Sequence, residues 1–306
     1  MKKTIAIGTR ASQLAIAQAK WVMDRMSVLY PNFTINLVTI KTKGDKILDK
    51  PLSTIGGKGL FVKEIEEALI RKEIDFAVHS LKDVPAELPN NLCISIFPPR
   101  EDPRDAFLSN GNIPIEDLPE NSSIGTSSLR RSAQLLKFRP DLKILPLRGN
   151  LDTRIKKLKK LEYRGIIVAA AGLKRLGLAD AITQYLPVDV MLPALGQGAL
   201  GLELREDDIE TRDLLKFLDH YETRVESEAE RSLLLELKGG CQIPIGGLAR
   251  LKDGRVRLEG LVADLDGKTV FRDLIYGSPE NAKEIGATLA HMLLDAGARN
   301  ILQKYS

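Results

Sequence analysis

Cysteine and histidine are scarce in this chain of 306 residues, which contains two cysteines and three histidines. Cys93 and Cys241 are too few for a disulfide scaffold, and such usage is typical of the reducing cytosol. His79, His220 and His291 lie far apart and lack the spacing of metal ligands. We therefore expect no disulfide framework and no zinc or iron site.

Long hydrophobic runs are also missing. The apolar start of the chain is broken at residues 8–10, too early for the hydrophobic region of a signal peptide. The uncharged stretch at residues 190–202 is too short and too rich in glycine and proline to cross a membrane. These features predict a cytoplasmic protein with no membrane partner.

Aromatic residues make up 5% of the chain, and the net charge is a mild +4. The hydrophobic fraction of 43% is enough for a large core, which predicts two or three domains. Proteins that bind a nucleic-acid backbone present a basic stripe, whereas here the basic residues at predicted strand ends stand singly, without interleaved aromatics. This distribution argues against a nucleic-acid partner and favours a compact polycarboxylate or polyphosphate ligand.

Apolar strands alternate with amphipathic helices over the first two thirds of the chain. The first unit has predicted strands at residues 4–8, 34–40, 75–79 and 92–97, with helices at 12–29 and near 61–69. The second has strands at 123–126, 143–147 and 165–170, with helices at 127–138, 151–161 and near 173. This order predicts parallel sheets with helices on both faces, and ligands beyond the carboxyl ends of the strands.

The last third has a different pattern. A charged helix at 223–237 precedes strands at 245–251, 256–263 and 269–276 and a helix at 279–294, which predicts a small α+β domain with a three-stranded antiparallel sheet. Residues 196–201 match G-x-G-x-x-G, but a strand follows them instead of a helix, so we reject a dinucleotide site. We interpret them as a crossing back into the first domain. The predicted domains are 1–98 with 199–217, 99–198, and 218–306.

Four predicted strand-to-helix junctions carry a cation beside hydroxyl or backbone N–H groups. They contain Arg10 and Ser12; Lys58; Thr126, Ser127, Ser128, Arg130 and Arg131; and Arg148, Gly149 and Arg154. Any one of them is also explained as a solvated surface cation near an ordinary helix cap. Four in the same topological position favour a cradle for carboxylates, which guanidinium groups bind in a bidentate manner.

Two further residues stand out by their surroundings. Asp83 lies in a turn that follows a predicted strand, at the same sheet edge, which is a position typical of a catalytic residue. The alternative is a surface ion pair with Lys82. Cys241 lies among the glycines and prolines of residues 239–247, so its thiol is presented to other groups. It is either a nucleophile or attachment point, or a loop cysteine without a role.

These runs together resemble the hydroxymethylbilane synthase family, also called porphobilinogen deaminase. The matching runs are residues 8–12, 56–61, 79–85, 100–105, 125–131, 147–150, 171–176, 195–199 and 239–244. They occur in the family's order and cover nearly the whole chain. The resemblance implies two α/β domains like those of periplasmic binding proteins and a third, α+β domain that bears the cysteine. It also implies a monomeric cytoplasmic transferase of tetrapyrrole (heme) synthesis.

The resemblance further implies a reaction and a set of roles. The enzyme joins four porphobilinogen molecules head to tail, releases ammonia and hydrolyses the product to hydroxymethylbilane, on a dipyrromethane primer in thioether linkage to Cys241. Asp83 stabilises the cation left when ammonia departs. The binding residues implied for the primer and the substrate carboxylates are Arg10, Ser12, Lys58, Lys82, Thr126, Ser127, Ser128, Arg130, Arg131, Arg148, Gly149, Arg154, Arg175 and Gln197.

Two other functions remain as alternatives. A non-catalytic two-domain protein that binds a polycarboxylate would explain the arginines, since this architecture hosts many binders, but not Asp83 together with the Cys241 loop. An RNA-binding protein would explain only the net charge. The first predicts binding without release of ammonia, and the second predicts strongly salt-dependent binding to RNA.

Overall fold

The computed structural model describes residues 4–42, 44, 62–238 and 243–305. Lys58 and Cys241 lie outside these residues. The strands are β1 Thr4–Arg10, β2 Thr34–Ile40, β3 Phe76–Ser80, β4 Leu92–Ile96, β5 Asp105–Ser109, β6 Ser123–Gly125, β7 Lys143–Leu145, β8 Gly165–Ala169, β9 Gln184–Tyr185, β10 Leu200–Arg205, β11 Ile245–Lys252, β12 Arg255–Ala263 and β13 Val270–Gly277. The α-helices are α1 Gln13–Leu29, α2 Lys63–Ile70, α3 Leu129–Phe138, α4 Leu151–Lys159, α5 Ala170–Arg175, α6 Ile209–Leu215, α7 Tyr221–Glu236, α8 Ala282–Leu293 and α9 Arg299–Lys304.

The described residues fall into two compact units. One contains residues 4–42, 44, 62–101 and 199–224, and the other contains 102–198 and the described residues from 225 onward. The first unit has one sheet and the second has two. Among the described residues, no helix has both the length and the apolar character needed to span a membrane.

The sheet of the first unit has the order β2-β1-β3-β10-β4. β1 is parallel to β2 and β3, whereas β10 is antiparallel to β3 and β4. Successive residues of β3 belong to different cores: Phe76 and Val78 pack with α1, and Ala77 packs with α2. Because neighbouring side chains of a strand point to opposite faces, helices cover both faces of this sheet.

The second sheet has the order β7-β6-β8-β5-β9. β6 is parallel to β7 and β8, and β5 is antiparallel to β8 and β9. The predicted parallel pairing is therefore confirmed for β1–β3 and for β6–β8, whereas β10 and β5 join these sheets as antiparallel strands. β5 was not predicted, because its first residue is the charged Asp105, which ends a run that looks like a solvated linker.

The third sheet is the antiparallel meander β11-β12-β13, as predicted. Its core includes Leu233 of α7, Leu258 of β12 and Leu289 of α8, none of them exposed. The predicted last helix begins as a 3₁₀ turn, Pro279–Asn281, and α9 follows it without having been predicted. Two α/β sheets and a C-terminal three-stranded antiparallel sheet confirm the predicted α/β fold class with its α+β end.

Candidate active site

A pocket lies at the carboxyl edge of the first sheet. β1 ends at Arg10 and β3 ends at Ser80, and a 3₁₀ turn of Leu81–Asp83 follows β3. Because β1 and β3 are parallel, their carboxyl ends meet at the same edge. There Arg10 Nη1 is 3.8 Å from Asp83 Oδ2, and the two side chains are 22% and 39% exposed. The structure therefore places the predicted carboxylate beside a predicted cation, open to solvent.

The amino end of α1 forms a second wall of this pocket. Ser12 is the N-cap, and its Oγ accepts a hydrogen bond from the Ala15 N–H at 3.2 Å. Thr9, which is buried, donates its hydroxyl to the Ala15 carbonyl at 3.1 Å. The positive end of the helix dipole therefore faces the pocket, where it favours an anion. The pocket is lined by Arg10, Ser12, Leu14, Ala15, Gln18, Val62, Val78, His79, Ser80 and Asp83.

Four polar residues of this region were missed by sequence reasoning. The Gln18 amide nitrogen donates to Ser80 Oγ at 2.8 Å. His79 Nε2 is 2.9 Å from Glu203 Oε2, and both side chains are buried. Glu203 lies inside an apolar strand, and a charged residue in such a place is the signal that could have drawn attention to it.

Arg130 and Arg131 were expected to present their guanidinium groups to a ligand carboxylate. Both are instead buried and bind groups of the protein itself. Arg130 Nη1 is 2.7 Å from Asp105 Oδ2, and Arg131 Nη2 is 2.7 Å from Asp105 Oδ1. They also donate to the carbonyls of Leu192 and Ile167. Burial alone would raise the pKa of Asp105, but the two guanidinium groups outweigh it and hold that pKa well below its usual range. Any ligand carboxylate would share these forks with an internal counterion.

Gln197 and Arg175 hold the loop that precedes β10. The Gln197 amide nitrogen donates to the Pro103 carbonyl at 2.7 Å and to Asp105 Oδ1 at 3.0 Å. Arg175, the last residue of α5, donates from Nη2 to the Gly198 carbonyl at 2.8 Å. Gln197 thus joins the network of Asp105.

The hydroxyl groups predicted between β6 and α3 bind their own backbone. Thr126 Oγ1 accepts from the Ser128 N–H at 3.2 Å, and Ser128 is the N-cap of α3. Ser127 Oγ accepts from the Leu147 N–H and donates to its carbonyl, both at 3.0 Å. These three residues therefore shape the junction and join it to the neighbouring loop after β7.

Arg148 differs from the other predicted arginines of the second unit. Its side chain is half-buried, and its guanidinium has no hydrogen-bond or ion-pair partner among the described residues. Next to it, Gly149 has a φ of +106°, a conformation that suits glycine. The Gly149 carbonyl accepts a hydrogen bond from Arg154 Nε at 2.8 Å. The loop thus holds Arg154 against the backbone and leaves the Arg148 fork available to a carboxylate.

Lys82 completes the predicted set within the described residues. It lies in the 3₁₀ turn between Leu81 and Asp83, and its side chain is half-exposed. A metal-binding cluster of three or more His, Cys, Asp or Glu side chains does not occur in the part of the chain that the structure describes. The groups at the pocket are instead cationic, hydroxyl and carboxylate groups, which suit an organic ligand with carboxylates and N–H groups.

Comparison with solved structures gives matches of low identity. The periplasmic aliphatic sulphonate binding protein SsuA from Escherichia coli matches with a TM-score of 0.42 and 15% identity, over 78% of this chain and 71% of that chain. The effector binding domain of BenM with benzoate matches with a TM-score of 0.43 and 14% identity, over 71% of this chain and 92% of that chain.

Comparison with protein families and with curated proteins is far more specific. The model "Porphobilinogen deaminase, dipyromethane cofactor binding domain" matches residues 5–213, and "Porphobilinogen deaminase, C-terminal domain" matches residues 225–295. The porphobilinogen deaminase of Geobacter sulfurreducens is 52% identical over 97% of this chain and 93% of that protein. That of Carboxydothermus hydrogenoformans is 50% identical over 99% of this chain and 98% of that protein. Both the family models and these relatives span nearly the whole sequence, and the chain belongs to the porphobilinogen deaminase family.

Proposed function

We propose that this chain is a hydroxymethylbilane synthase, a transferase of tetrapyrrole biosynthesis. It condenses four porphobilinogen molecules head to tail, releases ammonia at each addition, and hydrolyses the product to hydroxymethylbilane. The observation that carries this function is the match of residues 5–213 to a dipyromethane cofactor binding domain, in which Asp83 stands in a pocket.

A dipyrromethane fits the chemistry of the residues present. Its acetate and propionate side chains are anionic, and the chain offers Arg10, the amino end of α1 and the Arg148 fork. Its pyrrole N–H groups need acceptors, and Asp83 is a carboxylate open to the pocket. When bound, the group would supply a pyrrole with a free α-carbon, to which the first new unit is joined.

Asp83 acts on the substrate through its negative charge. Porphobilinogen loses ammonia from its aminomethyl group, which leaves a cation spread over the pyrrole ring and its exocyclic carbon. A carboxylate fixed beside the ring accepts a hydrogen bond from the pyrrole N–H and stabilises the charge that develops. In our proposal Arg10, at 3.8 Å, orients the Asp83 carboxylate.

We propose contacts to substrate carboxylates for cations of each unit, considered separately. In our proposal Arg10 and Lys82 serve the pocket of the first unit, and Arg148 and Arg154 serve the loops of the second. The hydroxyls of Ser12, Thr126, Ser127 and Ser128 shape helix amino ends that attract anions. Gly149 shapes the loop of Arg148, while Arg130, Arg131, Arg175 and Gln197 contribute by holding this framework.

The roles of Lys58 and Cys241 rest on the family resemblance. We assign the covalent attachment of the dipyrromethane to Cys241 and a carboxylate contact to Lys58. We further propose that the enzyme is a cytoplasmic monomer with no nucleic-acid partner, which size-exclusion chromatography and cell fractionation test directly.

The intact mass of the purified protein, beside a Cys241→Ser variant, tests the function. We expect extra mass equal to a dipyrromethane in the wild type alone, and ammonia release on addition of porphobilinogen. If neither protein carries the adduct after incubation with porphobilinogen, the chain is not this enzyme. Binding of porphobilinogen without ammonia release would support the polycarboxylate-binding alternative, for which no observation speaks at present.

A further inference from the structure

Three titratable side chains are buried in the first sheet and α2, and one of them, His79, lines the pocket of Asp83. They are His79 on β3, Glu203 on β10 and Glu66 on α2, which are 4%, 0% and 8% exposed. His79 Nε2 is 2.9 Å from Glu203 Oε2, while Glu203 Oε1 is buried and has no hydrogen-bond partner among the described residues. We call these residues the His–Glu–Glu cluster. None of them has a part in the mechanism above.

The cluster cannot hold both of its carboxylates in the charged form without cost. An ionised carboxylate away from water needs a partner, and one imidazole is paired with Glu203 alone. Burial and then the negative charge of Glu203 raise the pKa of Glu66 to about 7, against a smaller opposing effect of His79. A group with such a pKa exchanges its proton readily at neutral pH.

Among the described residues, few other charges bear on the cluster. On α2 itself, Glu67 raises and Lys63 lowers the pKa of Glu66, each less than Glu203 and His79 do. Arg205 of β10 donates to the carbonyls of Leu69 and Ile74, at the carboxyl end of α2, where Asp75 and Asp208 neutralise it. On β1, Arg10 faces Asp83 in the pocket.

The reaction needs a base at this place. When the new carbon–carbon bond forms at the pyrrole α-carbon, the C–H bond there must break, its electron pair returns to the ring, and a proton leaves. If Asp83 took this proton, it would lose the negative charge with which it stabilises the next cation. His79 is a lining residue of the same pocket and connects it with the buried carboxylates.

We propose that the His–Glu–Glu cluster is the proton acceptor of each condensation, with His79 as its entrance from the pocket. This inference rests on the proposed function. The imidazole takes the proton from the α-carbon, and Glu203 and Glu66 hold the added positive charge. The proton then passes to solvent or to the released ammonia, which leaves as ammonium, and the cluster is ready for the next addition.

The variant Glu66→Gln tests the proposal because it keeps the side chain's shape and removes its titration. We expect kcat of the wild type to rise as the pH increases through about 7, since the cluster must first lose a proton. In Glu66→Gln this ascending limb should shift by about one pH unit or more, with KM within about twofold. Glu73→Gln is the control, an equal change of charge at an exposed position just after the same helix. A Glu66→Gln profile that overlays the wild-type profile overturns the proposal.

His79→Ala tests the entrance of the cluster. We expect kcat to fall by about 10- to 100-fold and to recover in part when imidazole is added, as general-base catalysis requires. A purely structural role of His79 would not respond to imidazole. Turnover within about twofold of the wild type would overturn the assignment; if the variant does not fold, the pH profile of Glu66→Gln decides.

An infrared titration of the protein gives a readout that does not depend on turnover. The C=O band of a protonated carboxylic acid should disappear with a midpoint near pH 7, and Glu66→Gln alone should lack it. A wild type that shows this band and releases no ammonia would overturn the function and, with it, the catalytic part of this inference. An active wild type without the band would overturn the cluster alone.

Discussion

Asp83 is a carboxylate whose hydrogen-bonding capacity is directed to the pocket. Its charged neighbour among the described residues is Arg10, and 3.8 Å is too long for a direct hydrogen bond. The carboxylate oxygens therefore keep acceptor capacity for N–H groups that enter the pocket. An isolated surface aspartate would have the same freedom, but not a helix amino end and a guanidinium group beside it.

Replacement of Asp83 by asparagine should abolish most of the catalytic rate. The amide keeps the size of the side chain and removes its charge, so stabilisation of the developing cation is lost. We expect kcat to fall by roughly 100- to 1000-fold, as for other groups that stabilise transition-state charge. Steady-state ammonia release measures this, with the exposed Asp117→Asn as the control. Turnover close to that of the wild type would contradict the role of Asp83.

Replacement of Arg148 by histidine should impair cofactor assembly or chain elongation. An imidazole cannot reproduce the two parallel N–H bonds that a guanidinium makes to a carboxylate. We expect kcat/KM for porphobilinogen to fall by about tenfold or more, which corresponds to about 1.4 kcal/mol. Arg255→His, at an exposed position where β12 begins, is the control. A full cofactor load by intact mass together with normal turnover would rule the role out.

Among the secondary-structure elements, β5 depends on a single buried charge. Asp105 at its first position binds both arginines of the first turn of α3 and the Gln197 amide. These contacts join a strand, a helix and the loop before β10 in one network. The network explains why a charged residue can begin a buried strand.

Asp105→Asn should destabilise the second unit strongly. The amide leaves two buried guanidinium groups without a counterion, a change that costs about 3–5 kcal/mol in comparable buried pairs. Urea unfolding followed by circular dichroism measures the loss. Asp141→Asn is the matched control, because its pair with Arg139 is partly exposed and should contribute less than about 1 kcal/mol. Equal effects of the two variants would show that Asp105 is not the counterion described.

Packing of α2 on the first sheet should depend on pH through Glu66. The pKa of this residue is raised in the folded protein from 4.5 to about 7, so the protonated form is favoured by folding. The corresponding stability is fully present below about pH 4.5 and is lost as the pH rises through about 7, up to about 3 kcal/mol in all. Urea midpoints measured from about pH 5 to 8.5 should therefore fall less steeply in Glu66→Gln than in the wild type. Parallel slopes would contradict the burial of this carboxyl group.

Local periodicity was sufficient to predict most helices and strands. It was not sufficient to predict which side chains contact each other across the fold. The strand at residues 34–40 and the capping of α1 by Ser12 follow from short-range patterns that the structure reproduces. The contact of His79 with Glu203 joins residues 124 positions apart, and no local pattern encodes it. Likewise, an arginine in the first turn of a helix can face a ligand or the protein interior. Only the position of Asp105 decides this for Arg130 and Arg131.

For the whole molecule, loading with the cofactor should raise the resistance to heat. A group bound by the native state alone stabilises that state, and each kcal/mol corresponds to roughly 1–2 °C in a chain of this size. We expect the unfolding temperature of apo wild-type protein to rise by a few degrees after incubation with porphobilinogen. Scanning calorimetry before and after incubation measures this. An equal rise in Cys241→Ser would show that the covalent link is not its cause.

The position of β10 in the first sheet has a consequence for synthesis of the protein. β10 comes from residues 200–205, yet it lies between β3 and β4, and β4 has no other strand partner among the described residues. While the chain is emerging from the ribosome, the first hundred residues can form β1, β2 and β3, but β3 keeps an open edge. That edge is closed only after the whole second sheet has been translated. A stalled or truncated chain that ends before residue 200 should therefore require chaperones, although it contains Asp83 and the pocket around it.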